Sequence, residues 1–82
     1  MKKYYLDKVT IGTDSNCLVF EIDTQKPKEL KAITERIEKW NGYSFTNDDY
    51  TTTTSISEIT AEEAKSYTIL KAADYFPELA QN

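Results

Sequence analysis

Leu30, Ile33, Ile37 and Trp40 follow one another at spacings of three, four and three, with Lys31, Glu35 and Lys39 set between them. At about 100° per residue the apolar four share one stripe of a helix and the charges fall on its other sides. Pro27 suits a first helical turn, where a missing N–H costs nothing, and Asn41-Gly42 offers the left-handed residue at which helices commonly stop. Residues 26–42 are therefore expected to form an amphipathic helix whose stripe packs on a sheet.

On either side of that helix the period falls to two. Tyr4 to Ile11 is rich in aromatic and β-branched residues, with Tyr5, Val9 and Ile11 on the same face as Asp7, and Tyr4 and Leu6 on the other. Gly12 to Asn16 is dense in turn formers, and Cys17 to Ile22 then places Leu18, Phe20 and Ile22 on one face. This reads as a hairpin with a loop of about five residues. After the helix, Tyr43 to Thr46 reads as a third strand, Asn47-Asp48-Asp49 as a turn, and Tyr50 to Ile59 as a fourth strand. The run Thr51-Thr52-Thr53-Thr54-Ser55 suits an exposed outer strand, one that either meets solvent or adds to a partner's sheet.

Thr60 to Glu63 matches the capping box T-x-x-E, so a second helix is expected from Ala61 to about Tyr75, supported by Ala64, Ala72 and Ala73. Phe76-Pro77 ends it, because the residue before a proline is pushed out of helical geometry. Within this stretch Tyr67-Thr68-Ile69-Leu70 also fits a short strand. The expected fold is a single α+β domain over residues 1–82, a small antiparallel β-sheet packed on one face by two helices in the order ββαββα. The runner-up is a meander of three or four strands with one packed helix and an irregular carboxyl-terminal segment.

Composition agrees with one small globular domain. The chain has 82 residues, of which 39% are hydrophobic and 29% charged, and a chain this short buries only about 60–65% of its unfolded surface. The charge is segregated. Residues 1–42 hold eight basic and seven acidic side chains, whereas residues 43–82 hold two and seven, and no basic residue lies between Lys39 and Lys65. An acidic field of this kind disfavours nucleic acid and anionic membrane. The sequence shows no leader-like or membrane-spanning apolar run, and its one cysteine forms no internal disulfide, so a cytoplasmic protein is expected.

The inventory of reactive groups narrows the chemistry further. Histidine is absent, which removes the usual general base and the usual metal ligand, and two glycines cannot build a phosphate loop. Cys17 lies in an apolar strand and is expected to be an inert packed thiol. The adjacent pairs Asp48-Asp49 and Glu62-Glu63 point apart on strand or helix and so do not form a catalytic carboxylate pair, and Asn47-Asp48-Asp49 lacks the spaced oxygen ligands of a calcium loop. No catalytic residue, cofactor or metal is expected. Six tyrosines exceed what so small a core can bury, which leaves some to lie over its edge or to anchor an interface.

In size and acidity the chain resembles small inhibitors encoded by phages and mobile elements, anti-CRISPR proteins among them. The resemblance implies a protein partner with a basic surface. The residues expected to meet that partner are Asp48, Asp49, Glu58, Glu62 and Glu63, with Tyr50 as an aromatic anchor. The alternative expectation is a small structural or accessory subunit that assembles, with itself or with others, through the strand Tyr50 to Ile59.

Overall fold

The computed structural model describes residues 1–80. Strands β1 (Lys2–Ile11) and β2 (Asp14–Asp23) form a hairpin, followed by helix α1 (Pro27–Trp40) and a second hairpin of β3 (Ser44–Asn47) and β4 (Tyr50–Ile59). One helical turn, α2 (Ala61–Ala64), leads to β5 (Ile69–Lys71), a second turn, α3 (Ala72–Tyr75), and a 3₁₀ turn at Pro77–Ala80. The strands make one sheet in the order β3-β4-β1-β2-β5. The class is α+β. The sheet is mixed rather than antiparallel throughout, because β5 runs parallel to β2, with Leu70 opposite Phe20.

The first hairpin closes more tightly than its turn formers suggest. Ile11 pairs with Asp14, so Gly12-Thr13 is the whole turn and Asp14 to Asn16 are extended. Gly12 makes this possible with φ +61, a backbone that a side chain would strain. The threonine-rich β4 is not an outer strand along its first half. Tyr50 to Thr53 lie between β3 and β1, and the sheet edge is β3 itself. Threonine fits there because its branched side chain packs on neighbouring strands, as Thr46 with Thr51 and Ser44 with Thr53 do through their hydroxyls.

The predicted second helix is broken in three. The capping box is present: Thr60 Oγ1 accepts from the Glu63 amide and Glu63 Oε1 accepts from the Thr60 amide, each at 3.1 Å. After one turn, however, the chain must pass from beside β1 to the far edge of β2. Tyr67 to Leu70 straightens to do so, and the pairing of Ile69 to Lys71 with β2 replaces helical bonds. Sheet pairing here overrides the helix propensity of the alanines. The helices also divide between the faces. Phe20, Ile22, Tyr5 and Ile56 bury one face of the sheet against Ala32 and Ile33 of α1 and against Ala72 and Phe76. Val19 and Ala64, both fully buried, lie outside that cluster: strand alternation turns Val19 to the opposite face, where α2 lies against β1.

Helix α1 presents a different stripe from the one its leucine suggests. Ala32 and Ile33 are buried and Ile37 and Trp40 partly so, whereas Leu30 is 44% exposed. Glu29, Ala32, Ile33, Arg36, Ile37 and Trp40 form the sheet-facing row, spaced as one helical face requires. Two of those positions are charged. No described helix is long and apolar enough to cross a membrane.

Candidate interaction surface

Both hairpin turns lie at the same end of the sheet, because β4 runs antiparallel to β1 and begins beside its last residues. The Gly12 amide donates to the Thr51 carbonyl at 3.0 Å, and the Tyr50 ring lies so close over Gly12 that a Cβ there would sit 3.0 Å from it. The second turn has Asp48 at φ 54, a left-handed conformation that Asp tolerates better than most residues. The end is held by backbone bonds and by ring contact, so it is a defined surface.

Among the described residues nothing covers its helix-side face. Helix α1 stops at Trp40, whose carbonyl accepts from the Thr54 hydroxyl, and β4 and β1 continue beyond that point without a covering layer. Register places Ile11, Thr52 and Phe45 side by side on this face, with Tyr50 two residues along from Thr52. A row of rings leads there from the helix, Trp40 to Tyr43 at 5.4 Å and Tyr43 to Phe45 at 5.7 Å between centroids. Ile11, Tyr43, Phe45 and Tyr50 are between 42% and 61% exposed. Exposed apolar side chains occur singly on most proteins; here four are gathered on one surface, which makes this end a candidate for contact.

The same end is acidic and lacks local compensation. No basic residue occurs between Lys8 and Lys26 or between Lys39 and Lys65, and these are the two stretches that build the turns. Among the described residues Asp14, Asp48 and Asp49 make no ion pair, as Glu38, Glu63, Asp74 and Glu78 elsewhere also do not, whereas Asp7, Glu21, Asp23, Glu29 and Glu35 do.

The six residues expected to meet a partner are therefore split. Asp48, Asp49 and Tyr50 lie together at the turns. Glu58, Glu62 and Glu63 lie at the other end of β4, eight or more residues away, roughly 26 Å at the rise of a strand. Glu58 is paired with Lys3 at 3.5 Å, Glu62 with Lys65 at 3.2 Å, and Glu63 closes the capping box.

A buried polar cluster on the helix face is the feature that sequence reasoning missed. Asp7, 5% exposed, accepts from Arg36 Nη2 at 3.3 Å and from the Tyr75 hydroxyl. The guanidinium lies between the Trp40 and Tyr75 rings, 5.4 and 5.6 Å from their centroids, and its Nε is buried without an acceptor. Flanking ring faces account for that orphaned N–H. Burial, and then the hydrogen bond and negative charge of Asp7, push the Tyr75 hydroxyl far above the ordinary tyrosine value. For Arg36 burial pulls downward, but Tyr75 and Asp7 outweigh it and the net shift is upward. At neutral pH this is a neutral phenol and a carboxylate–guanidinium pair joining β1, α1 and α3. A groove of about 290 Å³ opens beside it between α1 and the 3₁₀ turn, with Arg36 and Lys39 offset by Glu35 and Glu78. The signal was present: Asp7 on the apolar face of its strand, and Arg36 one turn from Ile33 and Trp40.

Cys17 is exposed rather than packed. Alternation puts it on the face opposite Phe20, opposite Lys8 in register, where no element covers that end of β2. Among the described residues no three Cys, Asp or Glu side chains gather as metal ligands. Compared with protein-family models, with curated proteins and with solved structures, the chain matches none.

Proposed function

We propose that this protein is a small interaction module that acts by binding a partner protein carrying a basic surface, and that its contact face is the end of the sheet bearing both hairpin turns. One observation carries the reading: the exposed residues Ile11, Tyr43, Phe45 and Tyr50 coincide with the carboxylates of Asp14, Asp48 and Asp49, which make no ion pair among the described residues. Protein interfaces commonly pair aromatic anchors with a polar rim. Carboxylates without an internal cation are free to steer and pair with a partner's Lys and Arg. An inhibitor that blocks a basic site on its target, of the kind the chain resembles in size and charge, would use such a face. Glu58, Glu62 and Glu63 are proposed to serve folding and surface ion pairing rather than contact.

The test compares two variants in capture from the native host followed by a binding titration of the protein recovered. Asp48→Asn/Asp49→Asn/Tyr50→Ser alters the turn end, and Glu58→Gln/Glu62→Gln alters the other end while leaving the capping box intact. Loss of binding in the first variant with retention in the second supports the proposal. Retention in the first with loss in the second would place the contact at the other end of β4.

A further inference from the structure

The uncovered face has a shape and chemistry that select one kind of partner element. We infer that it receives an amphipathic α-helix of the partner, with Lys or Arg along the helix border that meets Asp14, Asp48 and Asp49; this rests on the interaction reading above and specifies what the partner presents.

The apolar contribution comes from Val9, Ile11, Leu18, Tyr43, Phe45 and Tyr50, all partly or largely exposed on the side of the sheet that carries α1. Four strands cross this end, about 14 Å at the usual spacing between neighbours, which is wide enough for one helix of about 10 Å diameter. A sheet face offers side chains and no free backbone groups. An extended segment laid on it would leave its own N–H and C=O groups without protein partners, whereas a helix satisfies them internally. Extended segments are served by sheet edges, and here the edge at this end is β3, only four residues long. Thr54, at the inner border, donates its hydroxyl to the Trp40 carbonyl, and Asn16 and Asn47 give the face a polar rim.

Charge selects the sign of the occupant. Asp14 follows one turn, Asp48 and Asp49 form the other, and none is in an ion pair among the described residues. The carboxyl end of α1, the negative pole of its dipole, points toward the same face. Lys39, the basic residue of its last turn, sits over the Trp40 ring on the flank bordering the Tyr75 groove. A helix laid beyond α1 would complete the second layer that the chain itself builds over only part of the sheet.

The probes are three synthetic peptides: an amphipathic helix of about three turns with leucines on one face and arginines flanking them, the same composition with two central prolines, which break a helix, and the helix with glutamate replacing arginine. Each is titrated into the ¹⁵N-labelled protein and followed by amide shifts. The arginine helix is expected to shift the amides of Val9 to Gly12, Leu18 and Tyr43 to Thr54, and to bind at least about tenfold more tightly than either control. Ile11→Thr and Phe45→Ser, on separate strands and both at exposed positions, should each weaken it. Equal binding of the proline peptide at the same amides would overturn the helical inference while leaving the contact face standing. Shifts centred elsewhere, no binding of the arginine helix, or indifference to both substitutions would overturn the inference outright. The proposed contact face is judged separately, by the captured partner and the turn-end variant.

Discussion

Replacing Asp7 with Asn tests whether the buried cluster holds the helix and the carboxyl-terminal segment to the sheet. The substitution keeps the size and one acceptor, but it removes the only carboxylate within bonding distance of Arg36 among the described residues. Breaking a buried ion pair by removing one partner costs about 3–5 kcal/mol. The Arg36 side chain is 35% exposed and that of Asp7 6%, so water still reaches part of the guanidinium and the expected loss falls to about 2–3 kcal/mol. For a domain of this size that lowers the melting temperature by roughly 10–20 °C. Urea denaturation followed by the fluorescence of Trp40, which stacks on Arg36, reports both the loss and the local environment. The double variant Asp7→Leu/Arg36→Met should recover much of the stability, since it leaves no uncompensated charge. An Asp7→Asn protein within about 0.5 kcal/mol of wild type, the ordinary range of a surface substitution, would refute the reasoning.

Tyr75, raised by burial and by Asp7, binds its proton more tightly when folded than when unfolded. Its contribution is thus fully present below the ordinary value near pH 10 and is lost as pH rises through the higher folded value; the alkaline decline in wild-type stability should be shallower in Tyr75→Phe, as urea midpoints from pH 9 upward would measure. Asp23 is shifted the other way, lowered by the Gln25 amide and then by Lys2 and the amino terminus against a burial effect that opposes them. Its contribution is present above the ordinary carboxylate value and falls away as pH drops through the lowered one, so Asp23→Asn should flatten part of the acid limb of the stability profile. Gly12→Ala should destabilise by more than about 1 kcal/mol in the same denaturation assay, because φ is +61 and the added Cβ would meet the Tyr50 ring at 3.0 Å. Thr60→Ala should cost about 1 kcal/mol through loss of the acceptor for the Glu63 amide, and an unchanged urea midpoint would contradict it.

Features set by neighbouring residues were legible before the fold was seen. The period of α1, the alternation of β1 and β2, and the capping box at Thr60 each depend on contacts within a few positions. What escaped depends on distant pairing. Tyr67 to Leu70 fits a short strand locally, but the flanking alanines and the capping box favour helix, and the choice is made only where β2 offers an edge to Ile69–Lys71. Hydropathy alone places Leu30 in the inward stripe and gives Arg36 no place in it, yet Asp7 and the two flanking rings make the arginine the better fit to the interior row. Asp48, Asp49 and Tyr50 were recognisable as an acidic turn beside an aromatic. That this turn lies against Gly12, with Ile11 and Phe45 in one row, follows from the order β3-β4-β1, which no short segment encodes. Glu58, Glu62 and Glu63 are near them in number, but eight or more positions along an extended strand carry them far apart in space.

Hydrogen exchange of the chain alone and saturated with its captured partner distinguishes the turn end of the sheet from the other end of β4 as the working face. Slowed exchange is expected at Val9 to Gly12 and Tyr43 to Thr54 on binding, with Glu58 to Ser66 unchanged. Protection confined to Glu58 to Ser66, with the two turns exchanging as they do in the free chain, would contradict it.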